Sequence, residues 1–390
     1  MSVILAVILG FSIALNCGYA AMCSWMARRY LPRFRFLPKL LWGWALVMAF
    51  LFILNMTAPY AWAPFMQAYL YLPLSVEMAW NLLFVQFLFL GIIPVILISR
   101  RWFPPEPPPP ATKGGISRRE FVRLAAVAAV PATAITMGVH GTLIRDDLRV
   151  RELSIPIANL PPELEGFKIA HVSDLHSGNF VGPDRLRIIS DLTNDQKADM
   201  VMITGDVINT RMEEFPAALT CIQRMESRLG TYLCEGNHDV IPGTGLVRAA
   251  CQENGLRMLG YESLVVPVEG RRLIIGSMPW IRKGFQGHPD LITKLYPERA
   301  TGDVRILLAH HPNLYDIAGS ADLVLAGHTH GGQLMLTPEL GLGPFFFHYW
   351  SGLYRKGNNV LVVSNGAGDW FPCRIGAPAE IGLLKLTRAT

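Results

Sequence analysis

Long apolar runs dominate the first part of the chain. Three of them, residues 3–25, 40–58 and 76–98, are almost free of charge. Each is close to the ~20 residues that a helix needs to cross a bilayer. We therefore predict three transmembrane helices within residues 1–100. A cleaved signal peptide is the competing interpretation of the first run, but no basic region precedes that run and further apolar runs follow it.

A stiff linker and another apolar run come next. Residues 101–123 include a proline-rich stretch at 104–110, which favours an extended cytoplasmic linker. Arg118 and Arg119 then precede an apolar run at 124–140, as in a twin-arginine export signal. An ordinary membrane span flanked by positive charge is the alternative. Both interpretations predict a fourth crossing of the membrane.

Basic residues are distributed unequally between the loops. The loop between the first two runs contains Arg28, Arg29, Arg33, Arg35 and Lys39, whereas residues 58–75 contain no Lys or Arg. By the positive-inside rule, the first loop is cytoplasmic. We therefore expect a multi-pass protein of the cell membrane whose chain beyond residue 141 is extracytoplasmic. If the run at 124–140 does not cross, that second half would be cytoplasmic.

The pattern changes near residue 150 to short β-rich runs that alternate with amphipathic segments. This alternation predicts one α/β layered domain over residues 150–390. The predicted strands of its first part are 169–173, 199–204 and 231–234. Runs at 263–268 and 272–277 predict an antiparallel hairpin that begins a second sheet. Further strands are predicted at 304–309, 323–326, 359–364 and 381–386.

The composition supports a membrane portion. Of the 390 residues, 51% are hydrophobic and 17% charged, which is outside the usual balance of soluble proteins. The net charge of +5 owes much to the predicted cytoplasmic arginines, and no basic groove with interleaved aromatic residues indicates nucleic acid as a partner. Cysteine spacing excludes a zinc knuckle, while a disulfide among Cys221, Cys234, Cys251 and Cys373 stays open.

Polar residues able to bind metal follow five of the predicted strands. They are Asp174, His176, Asp206, Asn237, His310, His328 and His330. The carboxyl ends of strands in α/β sheets form the edge where ligands usually bind. Carboxylate and imidazole donors favour zinc, manganese or iron, and the absence of cysteine argues against a closed structural zinc site. Seven such donors suit two divalent ions, which together would attract a phosphate group.

The motifs around these donors resemble, in order and spacing, the calcineurin-like metallophosphoesterases. They are Asp174-Leu-His176, Gly205-Asp206, Gly236-Asn237-His238-Asp239, Leu308-Ala-His-His-Pro312 and Gly327-His328-Thr-His330. The resemblance covers about residues 150–388 and is greatest to a membrane-linked bacterial branch in which Gly-Gly-Gln follows the last motif. It implies a four-layer α/β/β/α sandwich of two mixed sheets, preceded here by the bundle of transmembrane helices. It also implies a hydrolase of phosphoester bonds with two divalent ions (Mn, Zn or Fe).

The resemblance also implies a role for each residue. Asp174, His176 and His330 would hold one ion, Asn237, His310 and His328 the other, and Asp206 would bridge the two. His238 would assist the leaving group as an electrostatic stabiliser or general acid, and Asp239 would orient His238. Arg374 lies in a region that resembles the family's C-terminal signature. It would contact the substrate phosphate, although a surface salt bridge is an equally good interpretation.

Three other histidines can be considered as further candidates for the site. His311 adjoins His310, but the family pattern Leu-x-His-x-Pro selects His310 because Pro312 follows it by two places. His171 alternates with the core face of its strand, which indicates a structural histidine. His288 lies in a loop containing Gly and Pro and is expected to be solvated.

The expected reaction is attack by a metal-bridging hydroxide on a phosphomonoester, a phosphodiester or a lipid-linked diphosphate. The membrane segments favour a lipid-linked or envelope substrate. Aromatic runs at 345–350 and 370–371 are either ordinary packing or a rim that faces the bilayer and accepts a lipid tail. Two alternative functions stay open: a cytoplasmic-facing nucleotide or protein phosphatase, and a non-catalytic metal-binding membrane sensor. The sequence does not indicate an oligomeric state.

Overall fold

The computed structural model of this protein describes most of the chain. The described residues are 2–31, 33–80, 116, 118–144, 147–280, 290–333, 335–337, 340–341, 343–370, 372 and 374–389. Clustering of the backbone divides the chain into two compact units. One is helical and lies mostly before Leu143, and the other is an α/β sandwich that lies mostly after it.

Helices make up most of the described residues ahead of the sandwich. They are α1 (Ser2–Tyr30), α2 (Leu37–Thr57), the single turn α3 (Ala63–Phe65), α4 (Tyr71–Ala79) and α5 (Arg118–Leu143). Within the helical unit, α1 packs against α2 and α4 packs against α5. A proline inside a helix usually kinks or ends it, but the backbone of α5 continues through Pro131.

The described helices bear on the membrane prediction only in part. One of them, α2, is both long and apolar enough to cross a bilayer, and it coincides with the second predicted run. The first predicted run lies inside α1 and the fourth inside α5. Most of the third run and of the proline-rich linker, residues 81–115, lies outside the described residues.

The first sheet of the sandwich is mixed and has six strands. Their order is β1 (Leu148–Ile157), β14 (Ala379–Arg388), β2 (Lys168–Val172), β3 (Met200–Thr204), β4 (Thr231–Cys234) and β5 (Arg257–Leu259). Strands β2 to β5 are parallel, and β14 runs antiparallel to β2. Every residue of β3 is buried, as expected for a parallel strand that is covered on both faces.

The second sheet is also mixed and has six strands. Their order is β12 (Gly352–Lys356), β13 (Asn359–Val363), β9 (Leu323–Ala326), β8 (Val304–Ala309), β7 (Arg271–Met278) and β6 (Glu262–Val268). Strands β7, β8, β9 and β13 are parallel, and the two edge strands β6 and β12 are antiparallel to their neighbours. A short ribbon of β10 (Met335–Thr337) and β11 (Leu340–Gly341) lies apart from both sheets.

Three apolar cores give the sandwich its layers. The central core joins the two sheets, with Ile169 and Met202 from the first and Ile306 and Leu325 from the second. A second core covers the outer face of the first sheet with helices α6 (Pro183–Asp195), α7 (Phe215–Gln223) and α8 (Leu246–Glu253). A third core covers the other sheet with the short helix α9 (Leu291–Leu295) and the 3-10 turn Pro312–Ile317. A single helical turn, α10 (Gly343–Phe346), completes the helices. The two mixed sheets with helices outside them agree with the predicted sandwich.

The strands predicted from apolar runs agree with the structure to within two residues, but three strands of the two sheets were missed, as were both strands of the β10–β11 ribbon. The missed strands of the sheets are β1, β5 and β12. Strand β1 alternates exposed and half-buried residues, and β5 has only three residues, so neither presents a continuous apolar run. Cys221, Cys234 and Cys251 are buried and free, while Cys373 lies outside the described residues.

Candidate metal centre

The topology gathers the predicted ligands at one edge of the sandwich. In the first sheet, the parallel strands β2, β3 and β4 end next to one another and are followed by Asp174, Asp206 and Asn237. In the second sheet, β8 and β9 end side by side and are followed by His310 and His328. Because the sheets face each other across the central core, both sets of strand ends reach the same site.

Backbone strain is concentrated at these residues. Among the described non-glycine residues, nine have a positive φ, and five of those nine are predicted ligands. The five are Asp174 (54°), His176 (45°), Asp206 (53°), His328 (71°) and His330 (49°). Left-handed backbone at such residues costs on the order of 1–3 kcal/mol each and typically persists at functional sites. The turns after the strands therefore aim the side chains inward at the expense of local stability.

Two glycines leave room for the carboxylates. A Cβ on Gly327 would lie 2.2 Å from Asp174 Oδ2, and a Cβ on Gly236 would lie 2.1 Å from Asp206 Oδ1. Real Cβ atoms do not approach other atoms this closely. Glycine is therefore required at both positions because the neighbouring backbone passes directly over the ligands.

One group of donors is formed by Asp174, His176 and His330. His330 Nε2 lies 3.1 Å from His176 Nε2 and 3.3 Å from Asp174 Oδ1. His176 Nε2 lies 3.7 Å from the same carboxylate oxygen. All three side chains are at most 3% exposed. These are the three residues assigned to one ion from the sequence.

A second group surrounds the Asn237 amide oxygen. His310 Nε2 lies 3.0 Å and His328 Nδ1 2.7 Å from Asn237 Oδ1. His310 Nε2 is also 3.2 Å from Asp206 Oδ2. The same Asp206 oxygen lies 3.6 Å from His176 Nε2 in the first group. Asp206 therefore stands between the two groups, where a bridging ligand would be placed.

Both groups fit divalent ions. Ligands held about 2.0–2.2 Å from one ion are separated from each other by roughly 3 to 3.5 Å, which is the spacing between most of these donor atoms. The donors are carboxylate, amide and imidazole, without any thiolate, and this set suits manganese, zinc or iron. The seven predicted ligands could therefore hold two ions, with Asp174, His176 and His330 at one and Asn237, His310 and His328 at the other.

The protonation states are mostly those that metal binding needs. Burial alone would raise the pKa of Asp174, but the neighbouring His330 and hydrogen bonds from His176 and His330 hold it well below its ordinary value. Burial lowers the pKa of His176 to about 4 and that of His328 to about 3, so both are neutral. His310 differs, because the Asp206 carboxylate outweighs burial and raises its pKa to about 10.

A second layer of groups fixes the ligand side chains. His310 Nδ1 donates to the Thr204 carbonyl at 2.6 Å, which turns Nε2 toward Asp206. The backbone N–H of His238 donates to Asp206 Oδ1 at 2.8 Å. The backbone N–H of His328 donates to the Asp174 carboxylate at 3.1 Å. The strand-end turns thus orient the ligands as well as carrying them.

His238 lies beside the first group, but its orienting partner differs from the prediction. Its ring is 4.7 Å from the His176 ring, and its Nδ1 donates to the Asn209 carbonyl. Asp239 was expected to orient His238. Instead, its buried carboxylate accepts the backbone N–H groups of Val207, Ile208 and Gly236. The Asp239 side chain points into the backbone rather than toward the His238 ring. Its hydrogen bonds therefore connect the turn after β3 to the turn after β4.

Arg374 also differs from the prediction. It is 5% exposed, and its guanidinium is surrounded by protein acceptors. These acceptors are the Asp369 carboxylate and the carbonyls of Asn365, Gly366, Gly368 and Ala377. Nη2 additionally lies 3.1 Å from Nδ1 of His330. Because the N–H groups are occupied by these acceptors, the structure gives Arg374 neither a free phosphate-binding face nor a surface salt bridge.

The remaining histidines are placed as follows. His171 is buried, and its Nε2 lies 2.9 Å from Thr204 Oγ1, so it is a core histidine as predicted. His311 accepts the Asn313 N–H and lies outside both donor groups, in agreement with the choice of His310. His288 lies outside the described residues.

Sequence reasoning did not identify the Asn209 and Thr204 carbonyls or Trp280 at this site. The Trp280 ring lies 5.4 Å from the His328 ring and 5.9 Å from the His310 ring. One signal was present, since Trp280 follows β7 by two places just as His328 follows β9. The carbonyl groups carry no sequence signal because every residue has one.

Residues 167–332 match the family model described as calcineurin-like phosphoesterase. This part of the chain is similar to calcineurin-like phosphoesterase domains. It contains all seven predicted metal ligands, while Arg374 lies beyond the matched segment. The two mixed sheets fit a metallophosphoesterase sandwich.

Several proteins resemble this chain over more than half of its length. An uncharacterized metallophosphoesterase of Helicobacter pylori strain J99 is 31% identical over 243 residues, which are 61% of this chain and 64% of the relative. A transmembrane protein with metallophosphoesterase domain from Danio rerio is 29% identical, over 62% of this chain and 58% of its own length. An uncharacterized metallophosphoesterase of Bacillus subtilis strain 168 is 27% identical, over 70% of this chain and 98% of the relative. The chain thus spans somewhat less than two thirds of the first two relatives.

The contacts of Arg374 predict that it positions His330. Arg374→Lys keeps the charge, but one ammonium group cannot reach acceptors distributed around a planar guanidinium. We expect the affinity for Mn²⁺ at the weaker of the two sites to fall by about tenfold, as it does when groups behind a metal ligand are altered. Competition with a chelator would measure this affinity.

The control is Arg228→Lys, because Arg228 forms a half-exposed ion pair with Asp199 on the protein surface. Unchanged metal affinity in Arg374→Lys together with a raised KM would instead indicate contact with the substrate.

Proposed function

We propose that this protein is a membrane-anchored phosphoesterase that hydrolyses its substrate with two divalent metal ions. The observation that carries the proposal is the position of Asp206, whose Oδ2 lies 3.2 Å from His310 Nε2 and 3.6 Å from His176 Nε2. One carboxylate shared by two groups of donors is the arrangement that a pair of ions needs. The family match and the metallophosphoesterase relatives support the same reaction class.

The residues would divide the work between holding ions and moving a proton. When bound, two divalent ions supply a nucleophile near neutral pH and neutralise charge on the phosphate. The seven predicted ligands would hold the ions, and manganese, zinc and iron suit these donors. His238 would stabilise or protonate the departing oxygen through Nε2, because its Nδ1–H is committed to the Asn209 carbonyl.

The position of His238 beside the candidate ligands distinguishes this proposal from a non-catalytic metal sensor. The sensor would not need a polarised imidazole beside the metal ligands, whereas His238 lies 4.7 Å from His176 and is held in a fixed orientation. We therefore favour catalysis.

Replacing the shared carboxylate tests the proposed reaction. We expect Asp206→Ala to lower kcat/KM for a chromogenic phosphodiester by at least about a thousandfold, the order of loss when a group that stabilises transition-state charge is removed. Chelation of the wild type should abolish turnover, and Mn²⁺ should restore it.

Asp191→Ala is the matched control, because Asp191 is an exposed partner of Arg224 on the protein surface. Near wild-type turnover by metal-replete Asp206→Ala would contradict the bridging role.

We further propose that the first 143 residues anchor the protein by four membrane crossings and that the phosphoesterase domain is extracytoplasmic. Helix α2 is apolar enough to span, and α5 has 26 residues and so extends about 39 Å, more than the thickness of the hydrocarbon core. Relatives from Danio rerio and Bos taurus are named as transmembrane proteins. Basic residues in the first loop favour its cytoplasmic location.

Reporter fusions at the C-terminus test this orientation. We expect activity from a reporter that functions only outside the cytoplasm and none from one that fluoresces only inside it. Changing Arg118 and Arg119 together to lysine keeps the charge and should block export only if the pair acts as a twin-arginine signal. The opposite result with the two reporters would favour the cytoplasmic-facing nucleotide or protein phosphatase.

The proposed substrate is a lipid-linked phosphoester. Phe346 is 64% exposed at the end of α10, and the adjacent Phe347 ring lies 5.8 Å from the His328 ring. An exposed aromatic ring next to the metal centre could accept the acyl part of a substrate that stays in the membrane. This supports the rim interpretation of the aromatic run at 345–350 over ordinary packing.

Phe346→Ser tests the lipid contact while leaving Phe347 beside His328. We expect about a tenfold loss of kcat/KM on a phospholipid or lipid diphosphate presented in micelles, with little change on a small chromogenic diester. This loss corresponds to removal of one large apolar side chain from a contact. Ile188→Ser, an exposed apolar residue on α6, is the control. Equal losses on lipid and small substrates would contradict the rim.

A further inference from the structure

The loop after β7 occupies the position where the neighbouring strands carry metal ligands. Met278, the last residue of β7, pairs with Ala309, the last residue of β8. Trp280 follows the first by two places, and His311 follows the second by two places. The parallel register therefore brings an indole to the ligand edge at a strand end that supplies no ligand.

Trp280 packs among the imidazoles of the second donor group. Its ring is tilted by 38° to His328 at 5.4 Å and by 34° to His311 at 5.9 Å, and it meets His310 at 72°. Phe347 also contacts the His328 ring, edge to face, with an angle of 84° between the two ring planes. Trp280 and Phe347 are each half-buried, so part of each ring is open to solvent. We call these two residues the aromatic wall.

The other flank of the centre is chemically different. His238, the proposed acid, contacts His176 of the first donor group, and the Trp370 ring lies 6.1 Å from His238. The leaving group would therefore depart along His238 and Trp370, beside the first group. The aromatic wall lies beside the second group.

We infer that the aromatic wall binds the organic group that stays on phosphorus, which makes the protein a phosphodiesterase for substrates carrying a ring on the retained side. A phosphomonoester has only its leaving group and would contact nothing at the wall. A diester has a second organic substituent, and Trp280 and Phe347 offer it an uncharged flat surface. Rings stack well on such surfaces whatever their exact structure.

This inference rests on the proposed phosphoester hydrolysis and adds the class of substrate. In the reaction, one water molecule adds to phosphorus, the P–O bond to the leaving group breaks, and the proton of the water reaches the departing oxygen. The retained group remains bonded to phosphorus throughout. Its contact with the wall therefore affects binding and orientation rather than the bond that breaks.

Two diesters with the same leaving group isolate the wall. Methyl p-nitrophenyl phosphate and bis(p-nitrophenyl) phosphate both carry one negative charge and release p-nitrophenolate, but only the second has a ring on the retained side. With the full-length Mn²⁺-loaded protein, we expect Trp280→Ala to lower kcat/KM by about tenfold on the bis-aryl ester, within the range for stacking on an aromatic side chain. The loss on the methyl ester should be less than about twofold. Comparing each variant with wild type cancels the difference in intrinsic reactivity between the esters.

Two further variants guard against indirect effects. Trp280→Phe keeps an aromatic face and should keep the preference for the bis-aryl ester even if the alanine variant folds poorly. Tyr261→Ala removes an exposed aromatic ring on the connection between β5 and β6 and should leave both rates unchanged. Equal losses on both esters in Trp280→Ala and Trp280→Phe, or loss of bound Mn²⁺ in both, would overturn the inference because Trp280 would then act on the ligands.

A binding measurement separates the wall from the proposed reaction. Calorimetry should give tighter binding of diphenyl phosphate than of dimethyl phosphate to the wild type, and Trp280→Ala should remove the difference. If the wild type turns over no phosphoester, the proposed function fails while this measurement still decides the wall. Equal affinity of the wild type for both phosphates would overturn the wall.

Discussion

The structure depends on one buried carboxylate that is shared by two sets of metal-binding side chains. Asp206 is 2% exposed and lies between His176 and His310. Burying an unpaired carboxylate costs several kcal/mol, and here one of its oxygens is satisfied by a backbone N–H while the other faces imidazoles. Positive charge placed between the two donor groups would compensate that oxygen. The remaining features of the site serve to keep this carboxylate and its neighbours in place.

The sandwich achieves this placement through groups that never touch a substrate. Parallel strands of both sheets end at the same edge, and the turns that follow them adopt left-handed backbone conformations at five ligands. The Thr204 carbonyl fixes His310, and the Asp239 carboxylate holds the turns after β3 and β4. Burial is the larger cause and the charge of Asp206 the smaller cause that together raise the pKa of Asp239 to about 7. Its hydrogen bonds to backbone N–H groups oppose that shift, as expected for a carboxylate whose task is structural.

The surroundings of the two donor groups give the centre a direction. His238 and Trp370 flank the first group, whereas Trp280 and Phe347 flank the second. A symmetric pair of ions would bind phosphate in either sense, but these different neighbours would distinguish the departing side of a substrate from the retained side. Phe346, exposed next to Phe347, would extend the retained side toward a membrane.

Much of the site could be predicted from the sequence because its ligands follow apolar strands in recognisable local motifs. The seven candidate ligands and most strands of both sheets were predicted in this way, while β1, β5 and β12 were missed because they lack a continuous apolar run. The contacts of Asp239 and Arg374 could not be predicted. A carboxylate or guanidinium has the same chemistry whether it faces a substrate or the backbone, and only the fold decides which acceptors and donors surround it. The position of Trp280 beside the imidazoles likewise depended on the register between β7 and β8.

The sequence by itself thus determined which side chains could bind metal, because strand and turn patterns are local. Tertiary structure alone decided which groups orient those side chains, because these contacts join residues far apart in the chain.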